Sequence, residues 1–208
     1  MERLTRWIAE SVARSQALDE ERTSVIAYGL SALFQMIGIF FVITLVGAVF
    51  DFWYEAVLLF LSVGLLRKST GGAHSKSYAG CMVVSIATIC ILAVVVRYGV
   101  RVGWLLPLSL VSAGAYILCF CMIYFRAPVD SPNKPIRSAG KIRRLRRNAI
   151  LTLLVYGLLT ACCYWLNSVS IRFLSCGAAL TLGCLWQSFT LTKPGAYMIG
   201  KITGIFGA

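Results

Sequence analysis

The chain has 208 residues, of which 59% are hydrophobic and 13% charged, with a mean hydropathy of +0.79. An ordinary soluble domain carries about a quarter charged residues, so a soluble nucleic-acid binder is excluded despite the net charge of +12. Apolar runs long enough to cross hydrocarbon define instead an all-α integral membrane protein, in which excess Lys and Arg mark cytoplasmic loops.

Residues 1–23 place Leu4, Trp7, Ile8, Val12 and Leu18 at roughly helical spacing among charged side chains. That pattern predicts an amphipathic helix, either lying in the membrane interface with Trp7 at headgroup depth or capping the bundle. Its polarity leaves no room for a cleavable signal peptide. Six membrane segments are expected to follow, at 25–49, 52–66, 81–96, 104–125, 150–166 and 173–192, all in a single membrane domain with a small tail from Lys193. The second and third are too short for a full straight crossing of about 30 Å, so either is a candidate for re-entry. Between them lies a polar loop, 67–80, and a basic loop fills 126–149.

Placing the N-terminus inside and alternating through six segments puts 17 basic residues on the inner side and three, Arg97, Arg101 and Arg172, on the outer side. The asymmetry predicts cytoplasmic termini and a cytoplasmic 67–80 loop. Asp51 and Glu55 then fall at the opposite face.

The stretch RKSTGGAHSKSYAGC, from Arg67 to Cys81, holds the only histidine of the chain, His74. A thiol, an imidazole, the bendable pair Gly71-Gly72 and the cations Arg67, Lys68 and Lys76 are the parts of a cysteine-nucleophile site. On one continuous helix His74 and Cys81 would stand about 10.5 Å apart along the axis, too far for a hydrogen bond. Joint action therefore requires a non-helical Gly71–Ser77, with Ser75 or Ser77 capping a helix whose first turn carries Cys81 and favours its thiolate. The same residues also fit a polar loop followed by a cysteine buried at a helix start. The other seven cysteines lie in apolar segments as small hydrophobes. One histidine and no paired CxxC argue against a zinc site, and no HExxH occurs. Gly195–Lys201 imitates a phosphate-binding loop, but Ile202 stands where Ser or Thr is required. GxxxG at Gly99–Gly103 and Gly200–Gly204 gives weak dimer signals.

Arg67, Gly71-Gly72, His74 and Cys81 resemble the signature of the AgrB family, the accessory gene regulator B peptidases. A second block, Ala127-Pro128-Val129-Asp130 continuing to Asn133-Lys134-Pro135-Ile136, resembles that family's segment after the fourth span. The resemblance implies a membrane cysteine endopeptidase of a Gram-positive bacterium that converts an AgrD-like pro-peptide into a cyclic autoinducing peptide for quorum sensing. It implies Cys81 as nucleophile, His74 as base and acid, and supporting roles for Arg67 and Gly72, with Gly71, Lys68, Lys76 and Ser77 around them. It further implies a homodimer and no metal or organic cofactor. The rival reading is a small transporter or peptide exporter in which His74 couples to protons and Cys81 is dispensable.

Overall fold

The computed structural model describes residues 2–16, 19–72, 78–101, 103–129 and 138–205. These form helices α1 (Glu2–Gln16), α2 (Glu20–Val49), α3 (Trp53–Thr70), α4 (Tyr78–Gly99), α5 (Leu105–Arg126), α6 (Ala139–Trp165), α7 (Ile171–Phe189) and α8 (Lys193–Ile205), with a 3₁₀ turn at Leu166–Ser168. Among the described residues there is no strand, only an isolated parallel bridge between Gly71 and Val129.

The chain divides into two compact units, Met1–Val42 and Ile43–Ala208. In the first, α1 is amphipathic, with Trp7 exposed and Thr5, Ala9 and Ala13 buried. Its Thr5 hydroxyl meets the Ser31 hydroxyl of α2 at 3.0 Å. Asp19 caps α2 by accepting from the Arg22 N–H at 2.8 Å, satisfying one of the donors a helix start leaves open.

The second unit is organised around α7, which packs on α3, α4, α5 and α6. Small residues permit this: a methyl group at Gly183 would overlap the Ser62 hydroxyl of α3, and one at Gly177 the Tyr164 ring of α6. Close backbone approach of this kind, with hydrogen bonds across the seams, holds helices together where lipid removes the hydrophobic incentive. Ser175 binds Glu55 Oε1 at 2.6 Å, Ser112 and Tyr164 share a hydrogen bond of 2.7 Å, and Tyr156 donates to the Leu61 carbonyl at 3.1 Å. The buried apolar core adds Leu66, Ile123, Leu153, Leu180 and Leu191.

Four helical stretches are long and apolar enough to cross a membrane: Arg22–Val49, Ala79–Gly99, Leu105–Arg126 and Ala139–Ser168. The pair α7–α8, bent by 91°, makes a fifth when taken as one broken span. Their outer faces carry large exposed side chains such as Phe41, Leu106, Ile117 and Leu158. So much bare apolar surface is stable only against lipid, and the protein is a membrane protein.

Several expected boundaries move. The segment expected at 81–96 is a full 22-residue helix, because Tyr78–Gly80 and Arg97–Gly99 join it. The segment at 52–66 becomes the 18-residue α3, which does not qualify as an independent span because Glu55, Arg67 and Lys68 belong to it. Half of the basic loop is helix, since α6 starts at Ala139 and runs through Arg147 before turning apolar. The small tail is α8, set off from α7 by a bend of 91°. Thr192 makes that corner by accepting from the Gly195 N–H at 3.1 Å.

At the far end of α3 from Gly71, a second polar cluster closes the unit. Asp51 accepts from Arg97 at 2.5 Å and from Arg172 at 3.5 Å, tying the α2–α3 turn to the end of α4 and the start of α7. These are residues that charge counting assigns to one face.

Candidate active site

α3 ends where the conspicuous polar stretch begins. Arg67 and Lys68 occupy its last turn, where cations complement the partial negative charge of a helix C-terminus. The Gly71 N–H closes the turn on the Arg67 carbonyl at 2.8 Å. Gly71 and Gly72 then take φ of 70° and 135°, backbone geometry that L side chains rarely adopt. Space forbids a side chain as well: a methyl group on Gly71 would run into the Val129 carbonyl, and one on Gly72 would stand 2.9 Å from Thr190 Oγ1. The two glycines thus use the conformational freedom expected of them to leave the helix. This glycine pair supplies one fixed corner.

What fixes it comes from three other elements. Val129, just beyond α5, donates its N–H to the Thr70 carbonyl at 2.9 Å and pairs with Gly71. Arg146 of α6 holds that segment in turn, donating to the Ala127 carbonyl at 2.9 Å with its guanidinium 5.8 Å from the Tyr124 ring centroid. Gln187 of α7 is fully buried and donates from Nε2 to Thr70 Oγ1 at 2.9 Å and to the Gly71 carbonyl at 2.8 Å. Thr190 backs it, donating to the Gln187 carbonyl at 2.7 Å. The two sequence blocks around Gly71-Gly72 and Ala127-Pro128-Val129, far apart in the chain, thus meet at one point.

Cys81 sits in the first turn of α4, half-buried and with a free thiol. The first N–H groups of a helix have no partner within it and present partial positive charge. Gly80 beside it is buried. Arg67 is half-buried and Lys68 exposed. His74, Lys76 and Ser77 lie outside the described residues, as does Asp130. The structure thus brings Arg67, Gly71 and Gly72 into one locked corner and puts Cys81 at the start of the next helix. Among the described residues, no group of three His, Cys, Asp or Glu side chains is arranged to hold a metal.

Val129 belongs to a block that the sequence singles out, whereas Arg146, Gln187 and Thr190 are not expected from it as site residues. Gln187 had a readable signal, a polar amide inside the apolar run LWQSFTLT, and polar side chains within membrane segments are functional by default. Arg146 is one of several similar cations, and spacing alone does not separate it from them.

The family model for accessory gene regulator B, AgrB, matches residues 1–191. Among curated proteins, an AgrB-like protein of Clostridium perfringens strain SM101 is 29% identical over 210 aligned positions, covering 97% of this chain and 96% of its own length. A second AgrB-like protein, from strain 13 of that species, is 28% identical with the same coverage. No solved structure is significantly similar.

Proposed function

Because the chain belongs to the accessory gene regulator B family, which takes part in quorum-sensing peptide processing, we propose that it is a membrane cysteine endopeptidase with Cys81 as nucleophile and His74 as its base and acid. The observation that carries the proposal is the placement of Cys81. It lies near the start of a helix, shortly after the corner at Gly71-Gly72 and seven residues beyond the only histidine of the chain.

The substrate is an AgrD-like pro-peptide. His74 takes the Cys81 proton, and the thiolate adds to the scissile carbonyl. Backbone N–H groups near the start of α4 stabilise the oxyanion. His74 then protonates the departing amine as the C–N bond breaks, releasing the C-terminal tail and leaving a thioester on Cys81. A thiol within the bound peptide attacks that thioester, closing a thiolactone and returning Cys81 to its thiol. A serine in its place would give a lactone. Holding the peptide's nucleophile against the acyl group supplies effective concentration, and exclusion of water favours cyclisation over hydrolysis.

In this reading α1 lies in the membrane interface, and α3 and the bent α7–α8 complete six membrane segments. The end bearing Gly71, Cys81 and the start of α6 faces the cytoplasm, supported by Lys141, Arg143, Arg144 and Arg147 exposed at that end.

The test uses the full-length protein in liposomes with the pro-peptide encoded beside its gene. Intact-protein mass spectrometry of wild type should show an adduct equal to the truncated peptide, labile to hydroxylamine and missing from Cys81→Ala. His74→Ala should accumulate it far more slowly. Bound substrate with neither adduct nor tail release would sink the peptidase and favour a transporter.

A further inference from the structure

We propose that Gln187 is a positioning residue for the Cys81–His74 pair, acting through the corner at Thr70–Gly72; the inference rests on the peptidase reading. The Thr70 hydroxyl points its proton at the Leu66 carbonyl at 3.0 Å, with the Gly71 carbonyl a longer alternative at 3.3 Å, so towards Gln187 it accepts. The Gly71 carbonyl accepts by nature. Both protons of Nε2 are therefore spoken for, and the amide has only one orientation that works. Among the described residues, the buried Oε1 meets no donor. An unsatisfied buried acceptor is unfavourable and rare in native proteins. A side chain that only filled space would avoid it, since Leu or Met fills the same volume without the orphan oxygen.

What Gln187 does that Met cannot is hold the carbonyl of Gly71. That carbonyl belongs to the peptide unit entering Gly72, two residues before His74. Val129 holds the Thr70 carbonyl from the other side and Thr190 packs against Gly72, so Thr70–Gly72 is gripped from both sides. Without the amide, both glycines regain their conformational freedom, and the segment that carries the base is no longer aimed. None of these contacts touches the thiol or the scissile bond, so the role is to position.

The experiment uses the full-length protein in liposomes and two readouts. One is the kinetics of tail release; the other is the pH profile of Cys81 alkylation by iodoacetamide, read on the Cys81 peptide by mass spectrometry. Gln187→Met should lower kcat on the order of 100-fold with KM nearly unchanged. It should also raise the pH at which Cys81 becomes reactive, in the same direction as His74→Ala. A folded Gln187→Met protein with wild-type kcat and a wild-type alkylation profile overturns the inference. If Gln187→Met does not fold, Thr70→Val decides by the same readouts, because it removes only one of the amide's two acceptors. A smaller shift of both readouts supports the role, and wild-type values overturn it. Wild-type protein that releases no tail, with a Cys81 profile identical to that of His74→Ala, removes the peptidase reading and this inference together.

Discussion

Replacing Gly71 by alanine asks two things of the chain at once: a left-handed backbone and room for a methyl group where the Val129 carbonyl already stands. The backbone penalty alone is roughly 1–3 kcal/mol, and the overlap adds to it by pushing Val129 off its bridge. Gly71→Ala should therefore melt well below wild type and lose peptide processing. Gly114→Ala on α5, where nothing lies near the new methyl group, should be neutral or gain about 0.5–1 kcal/mol. Thermal unfolding of the two variants side by side separates a fixed corner from a flexible one. Residue chemistry also sets a pH dependence at the opposite end of α3. The Asp51 carboxylate is held below the ordinary aspartate range, first by the hydrogen bond it accepts from Arg97 and further by the charges of Arg97 and Arg172, with desolvation working the other way. A depressed carboxylate stabilises the fold above its unfolded pKa of about 3.9 and loses that contribution as pH falls through the lower folded value. Asp51→Asn should thus melt below wild type at pH 7, with the gap closing as the pH drops below about 3.9. A gap that is constant across that range would show that the Asp51 charge is not what matters.

Among the elements, α6 sorts similar cations into different jobs. Its first turns carry Lys141, Arg143, Arg144, Arg146 and Arg147, yet only Arg146 is half-buried with a bond to the Ala127 carbonyl. Losing a hydrogen bond from a charged donor costs about 1.5–3 kcal/mol, whereas exposed substitutions usually stay within about 0.5 kcal/mol. Arg146→Ala should accordingly destabilise the protein and slow processing, while Arg144→Ala changes neither much; melting temperatures and tail-release rates check both. Legibility in the sequence divides along the same line. Hydropathy reports burial in lipid, so α2, α4, α5 and the apolar half of α6 are visible in it. Helix start signals are local too, and Asp19 and Ser170 cap α2 and α7 through side chains that a sequence displays. The Gly71–Val129 bridge is different, because nothing near either residue names the other. Gly71-Gly72 reads as freedom from sequence, since composition says what glycine permits. Only packing says which conformation is imposed. His74, the residue on which the chemical proposal depends, was legible because it is the sole imidazole, a fact of composition rather than geometry.

At the scale of the whole molecule, the seam between α3 and α7 has a consequence for how the protein is made. The buried face of α3 carries Glu55, Ser62 and Thr70, and α7 covers it with Ser175, Gly183 and Gln187. During synthesis α3 emerges long before α7. A helix with a carboxylate near one end and two cations at the other partitions poorly into hydrocarbon on its own. On the proposed six-segment arrangement, its insertion therefore waits until its cover arrives. A nascent chain arrested before Ile171 should leave Trp53–Thr70 accessible to a water-soluble protease, and one arrested after Ile205 should protect it. On that arrangement the last helices to be translated decide whether the segment carrying the glycine corner takes its place in the membrane, so a chain cut short in α7 loses an early element as well as a late one.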